Sequence, residues 1–454
     1  MTTEESREAL VETEAARPRT ESLEEIESYF DRLWPLLRSL TGAGVRQTHD
    51  IIAEVVPLTR FEFPSGTRCF DWTIPKEWVV GDAYVVDPDG KRLLDVHENN
   101  LHLVNYSVPF EGRLDRRELD EHLHSVPQQP DAIPYVTSYY FPRWGFCLSD
   151  RQRQGLPEGE YQVVIRTQHI DGAMTVSEAV LPGDEEGEVL ISTNTCHPSL
   201  ANNELSGPLV AMFLYRRLAS LTARRLTYRF VFLPETIGAI AYLSMRGELF
   251  CEKLVAGYVV TCAGSASPFT YKRSRRGDSL ADRAASCVLR EVDLSGSRII
   301  DFAPGGSDER QYCSPGFNLP VGTLMRSEPN RYPQYHTSLD NKKFISMEAL
   351  QGSIDTSFRL CMALDGNVVY RNLIPYCEPK LGSRDVIPAF TPGHVYAPDI
   401  ERWIWAVRWV LNLADGKYDL LAIAERSRLD IDLLRSAAQV CLRAGILTRD
   451  VRQP

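Results

Sequence analysis

Four polar clusters in this chain carry residue types that bind metal ions or move protons. His197 lies in Ile191-Ser-Thr-Asn-Thr-Cys-His-Pro-Ser199, with Asn202, Asn203 and Glu204 just beyond it. Glu235 lies in Phe232-Leu-Pro-Glu-Thr-Ile-Gly238, and Asp308, Glu309 and Arg310 follow the pair Gly305-Gly306. His336 lies in Tyr335-His-Thr-Ser-Leu-Asp340. Imidazole and carboxylate together suit zinc, whose catalytic sites keep one position open for water or substrate. Bound zinc lowers the pKa of water to roughly 7, and a nearby carboxylate can take the proton. Glu235 suits that base: it follows an apolar strand and a proline, with no ion partner in its own segment, so desolvation raises its pKa. The alternative for Glu235 is a first-turn glutamate that stabilises the helix dipole. Asp308 and Glu309 are expected to bind a substrate ammonium, with Arg310 free for a carboxylate. The bland alternative for them is a solvated charged turn. Tyr335, beside His336, is assigned to the substrate pocket.

Such residues need elements to bring them together. From Glu188 onward strands and helices alternate: Val189–Ile191, a helix from about Leu205, Tyr228–Leu233, a helix from about Ile237, then Leu254–Thr261. Leu319–Met325 and a long helix from about Ser346 follow. This alternation predicts an α/β fold with a mostly parallel sheet flanked by helices, and the polar clusters fall where such sheets open their crevice, beyond the strand carboxyl ends. Ser22–Leu40 and Thr48–Val56 read as helices of the same unit, so the main domain takes residues 20–57 and 184–395. Between them, residues 58–183 have the short strands and tight turns of an inserted β-rich domain. In residues 396–454, Trp403, Val407, Val410 and Leu411 make one apolar stripe, a second helix holds Leu420–Ala424, and Asp430 caps a third; this is the pattern of a winged helix-turn-helix.

Composition bounds the function. The chain has 454 residues, 43% of them hydrophobic, and a net charge of −11, which argues against a general nucleic-acid binder. Asp430 and Asp432 at the start of the third tail helix also repel phosphate, so packing or homo-oligomer contact is the expected role of that module. Lys272-Arg-Ser-Arg-Arg276 reads as a solvated loop rather than a phosphate site. No apolar run approaches the roughly 20 residues that span a bilayer. Residues 1–19 read as a flexible acidic leader rather than a signal peptide. With ten scattered cysteines and no Cys-x-x-Cys pair, a reduced, cytoplasmic protein is expected.

The segments Ser192–Gly207, Pro234–Gly238, Gly306–Tyr312 and Tyr335–Asp340, with Arg143-Trp-Gly-Phe-Cys147 of the inserted module, resemble the zinc aminopeptidase/glutaminyl-cyclase superfamily. The likeness is to its aminopeptidase-like branch with an inserted β-domain and a C-terminal winged helix. The resemblance implies that histidines at 197 and 336 bind zinc and that Glu235 is the base. It also marks departures. Asn202 or Asn203 stands where a metal-bridging aspartate belongs, Thr236 where a second glutamate belongs, and Thr261 or Cys262 where a third-strand aspartate belongs. One zinc is therefore expected rather than two, held by His197, His336 and Glu204, with Asp308, Cys262 or an asparagine of 202–203 as alternatives to Glu204. The expected activity is hydrolysis of a small peptide-like or aminoacyl amide. Non-proteolytic amide cleavage or cyclisation of a metabolite, or a non-catalytic binding protein, are the alternatives.

Overall fold

The computed structural model describes residues 21–292, 296–387 and 397–450; the leader expected over residues 1–19 lies outside them. The frame is an eight-stranded sheet: β1 (Thr59–Pro64), β2 (Ala173–Leu181), β3 (Glu188–Asn194), β4 (Thr227–Leu233), β5 (Leu254–Val260), β6 (Thr270–Lys272), β7 (Arg298–Ile300) and β8 (Val321–Met325). Their spatial order is β1-β2-β4-β3-β5-β8-β6-β7. The central four, β4-β3-β5-β8, run parallel. Their carboxyl ends therefore open on one edge, which gathers the loops carrying His197, Glu235, Cys262 and the residues after Met325.

Both faces of this sheet are covered, which is why its strands are continuously apolar rather than alternating. On one face Ile191, Phe230, Phe232 and Tyr258 pack with α1 (Leu23–Leu33), α3 (Ser206–Ala219), α5 (Leu280–Val292) and α6 (Met347–Asp365). On the other, Leu190, Val231, Leu233 and Val259 pack with α4 (Ile237–Lys253) and the inserted module. The helix α2 (Ala43–Ala53) precedes β1. Ser22 caps α1 by accepting the Glu25 N–H at 3.2 Å.

Two expected boundaries shift. β1 pairs with β2, and β2 pairs with β4, so both ends of segment 58–183 belong to the main sheet. The module that protrudes is a four-stranded antiparallel sheet of Glu77–Val86, Arg92–Leu93, Phe110–Asp115 and Glu160–Ile170. Likewise Val369–Asn372 pairs with Asp415–Asp419 and Leu447–Arg449, so the winged unit begins well before residue 396. Its helices are Pro398–Leu413, Leu420–Ser427 and Ile431–Arg443. Asp430 caps the last by accepting the Asp432 and Leu433 N–H groups. That end is docked on the core, where Arg359 bridges Glu291 at 2.7 Å and Asp430 at 3.4 Å.

Beneath the site edge, Arg229 of β4 is buried between carboxylates of both neighbouring strands, 2.8 Å from Glu178 on β2 and 2.8 Å from Glu188 on β3. Glu178 also has Arg246 at 2.9 Å, so removing Arg229 strands chiefly the buried Glu188, at a cost of about 3–5 kcal/mol. Arg229→Met should lose that much in urea unfolding; a loss below about 1 kcal/mol would mean that Glu188 finds another partner.

Candidate active site

His197 is set by the loop beyond β3 and by the π-helical turn Ala201–Leu205 that precedes α3. That turn brings Glu204 back under the loop. One Glu204 oxygen accepts the backbone N–H groups of Cys196 and of His197, the latter at 2.8 Å. Its other oxygen lies 2.7 Å from His197 Nδ1. A histidine whose Nδ1–H is given to a carboxylate presents its Nε2 lone pair in a fixed direction. Here Nε2 faces Glu235, 3.8 Å from Oε2. Both Glu204 oxygens are engaged by the His197 loop, so with His197 Nε2 turned to a metal Glu204 stands behind the ligand. Arg38, fully buried, fixes the same loop by donating to the His197 carbonyl at 2.9 Å.

His336 arrives from the loop after β8, in the left-handed region at φ +53°. Residues of the inserted module hold it there. Tyr135 N–H donates to the His336 carbonyl at 2.8 Å, Ser338 N–H to Ile133 at 2.8 Å, and Ile133 N–H to the Ser338 hydroxyl at 3.0 Å. The Tyr335 ring stacks on His336 at 3.9 Å. The Tyr135 ring lies 5.0 Å from His197 and 5.3 Å from His336. Burial pushes the His336 pKa down to about 3, so this imidazole is neutral and its lone pair available. Its Nε2 is buried without a hydrogen-bond partner, a vacancy that ordinarily costs about 1–3 kcal/mol.

A metal ion fits that vacancy. The two histidine rings are 5.3 Å apart. Zn–N bonds of roughly 2.0–2.1 Å in tetrahedral geometry separate two ring centres by about 5 Å. Cys196, His197 and Glu204 also form a buried group whose ligand atoms lie within 4.8 Å of one another and could hold a metal. In that set, however, His197 Nδ1 is already given to Glu204, and burial raises the Cys196 thiol to about 12. The Nε2 side is the open one. A second group, Asp82, Asp95 and His97 in the inserted module, already holds a cation: Arg92 reaches Asp82 at 2.8 Å and Asp95 at 2.5 Å.

Glu235 lies beside His197, with 24% of its side chain exposed. Burial raises its pKa, opposed by His197 and reinforced by Glu204. Thr236, at φ +66°, turns the chain sharply there, a strain that persists only when neighbours hold it. Asp308 accepts the Thr236 N–H at 2.7 Å, and Arg310 donates to the Thr236 hydroxyl at 2.6 Å. Asp308 has its pKa raised well above the carboxylate range by burial and by Glu235.

The charged run 308–310 is therefore not a substrate rim. Asp308 and Glu309 are both fully buried, which corrects their expected role as an exposed ammonium site. Glu309 pairs with buried Lys272 and accepts the Thr323 hydroxyl at 2.8 Å, bracing the loop to the sheet. Lys272 accordingly leaves the solvated basic loop in which the sequence placed it. Arg310 is half-buried and also donates to the Gly306 carbonyl at 3.1 Å.

The positions at which the resemblance implies carboxylates for a second metal hold uncharged side chains. The Asn202 side-chain oxygen accepts the N–H groups of Gly264 at 2.8 Å and Ser265 at 3.0 Å. The Asn203 amide lies 3.7 Å from Cys262 sulfur, whose thiol burial raises to about 12. Asp340 is the nearby carboxylate, and it is occupied by the N–H groups of Asn202 at 2.7 Å and Asn203 at 2.9 Å.

Replacing Glu204 tests its orienting role. A glutamine would keep an acceptor for the backbone but put an N–H against His197 Nδ1–H, which inverts the tautomer. Glu204→Gln should weaken zinc binding about 10–100-fold in competition with a chromophoric chelator; unchanged affinity would remove Glu204 from the site.

Comparison with known proteins shows the family and the fold. Residues 28–367 match the family described as a domain of unknown function (DUF4910), and residues 368–449 match a winged helix-turn-helix family. A Clostridium acetobutylicum protein, provisionally described as a polysaccharide biosynthesis protein with an aminopeptidase-like domain, is 42% identical over 93% of this chain and 96% of its own. A crystal structure of a provisionally assigned peptidase from Clostridium acetobutylicum superposes with a TM-score of 0.88, at 41% identity, covering 94% of this chain and 96% of that one. A zinc aminopeptidase from Bacillus subtilis shares the fold at a TM-score of 0.55 and 13% identity, over 75% of this chain and 94% of its own.

Proposed function

This chain belongs to the DUF4910 family, on a zinc-aminopeptidase-like fold with a winged-helix tail, and we propose that it is a one-zinc hydrolase of small aminoacyl or peptide-like amides. The observation that carries the reading is the unpartnered Nε2 of His336, across from a His197 whose own Nε2 is aimed at Glu235. Zinc held by His197 and His336 would polarise an amide carbonyl and lower the pKa of its bound water.

The chain's own residues supply the rest. Glu235, raised by burial, accepts the water proton and returns it to the leaving amine. Arg310 is placed to meet a polar group of the substrate from the cleft side. Tyr135 and Tyr335 wall the histidines and exclude bulk water, which strengthens electrostatic interactions within. The Clostridium relative's description joins polysaccharide biosynthesis to an aminopeptidase-like domain, which supports a substrate that bears a sugar. No helix among the described residues is long and apolar enough to cross a membrane. All ten cysteines are unpaired, which supports a reducing, cytoplasmic setting.

Turnover tests the reading. Zinc-loaded protein should release amine from an aminoacyl amide, and a chelator should stop it with recovery on readdition. Full turnover after complete metal removal would contradict a zinc hydrolase. Turnover of dipeptides in preference to simple amides would return the assignment to a peptidase.

A further inference from the structure

The inserted module sends an aromatic wall outward from the metal-binding histidines. It begins at Tyr135, whose ring lies 5.0 Å from His197. The Tyr135 hydroxyl bonds that of Tyr139 at 2.7 Å. The Tyr139 ring meets Tyr140 at 6.3 Å, and Tyr140 meets Trp72 edge-on at 5.5 Å. The wall ends in solvent, with Tyr140 54% and Phe141 80% exposed. Large aromatic rings left uncovered cost hydration free energy, and contiguous ones mark binding surfaces. The charges of Cys196 and Arg310 act on Tyr140, so this surface lies near the loop that carries His197.

A cavity of about 220 Å³ lies in the same loop, lined by Thr137, Ser138, Tyr139, Tyr140, Phe141 and Arg143. Its lining mixes ring faces with hydroxyls and one guanidinium, which is held in place by donating to the Thr137 carbonyl at 2.9 Å. An occupant of that chemistry has a flat apolar face and a hydrogen-bonding edge, and is about the size of one six-membered ring. We infer that loop Thr137–Arg143, backed by Trp72, is a subsite for a pyranose ring carried on the leaving-group side of the scissile amide. The inference rests on the amide-hydrolase reading for the direction in which the sugar lies.

Two measurements separate that inference from the reading beneath it. Saturation-transfer NMR with methyl glucoside needs no turnover: the wild-type protein should label the sugar ring protons, and Tyr140→Ala and Phe141→Ala should lose the signal. Kinetics compare N-alanyl-glucosamine with alaninamide on zinc-loaded enzyme. Wild type should prefer the sugar amide, and each variant should lower its kcat/KM, chiefly through KM, about tenfold more than that of alaninamide. Ile299→Ala, exposed on the edge strand β7 of the main sheet, should change neither. Sugar labelling that survives both substitutions, or an unaltered substrate ratio, overturns the subsite. Absence of all turnover with labelling intact overturns the amide-hydrolase reading and leaves the sugar site standing.

Discussion

Glu235→Gln should lower kcat on an aminoacyl amide by about 10²–10⁴-fold while zinc content stays at one per chain. Glutamine preserves the size of the side chain and its position after β4, and it removes only the capacity to accept a proton. Because Glu235 is not needed to hold the ion in this account, metal binding and rate should separate. The pH profile carries the same claim. Burial holds the Glu235 pKa above its ordinary value of 4.5, and the base works only when ionised. Activity should therefore rise with pH along an acid limb displaced above 4.5, and Glu235→Gln should abolish that limb. A Glu235→Gln enzyme that is fully active with zinc bound would take Glu235 out of the chemistry.

His336→Ala should have the second large effect, loss of stoichiometric zinc. With His336 gone, His197 is the one imidazole left at the site, and Cys196 beside it has a thiol pushed up to about 12. Structural costs should be small, since no protein group hydrogen-bonds His336 Nε2 and its loop is held through backbone bonds from Tyr135 and Ile133. Elemental analysis should find less than about a tenth of an equivalent of zinc after dialysis, with an unfolding midpoint close to that of the metal-free wild type. A His336→Ala protein that still retains one zinc would move the metal to the Cys196–His197–Glu204 group.

The parts of this site that sequence revealed are those fixed by strand order. His197, Glu235 and His336 each follow an apolar run, and a parallel sheet must bring such positions to one edge. Glu204 was expected beside the metal because it is the nearest carboxylate to His197 in sequence, and its hydrogen bonds to the loop had no sequence signal. Only the π-helical turn Ala201–Leu205 folds it under the backbone N–H groups of Cys196 and His197. Asp308 and Glu309 looked exposed because a glycine pair precedes them; their partners, Thr236 N–H and Lys272, lie far away in the chain. Tyr135 left no local signal, since its contact with His336 spans 201 positions (336 − 135) between the inserted module and the loop after β8. In the frame, the sheet strands from β3 to β5 and β8 were legible. β6 and β7, three residues each, are too short to show a period. β1 and β2 share the alternating texture of the inserted module, so only their pairing partners reveal where they belong.

Anomalous diffraction at the zinc edge on zinc-loaded crystals tests the central claim most directly. The account predicts one peak per chain, roughly 2.0–2.1 Å from Nε2 of both His197 and His336, with Glu235 facing the open position. Two peaks, a peak among Cys196, His197 Nδ1 and Glu204, or none at full zinc saturation would contradict it.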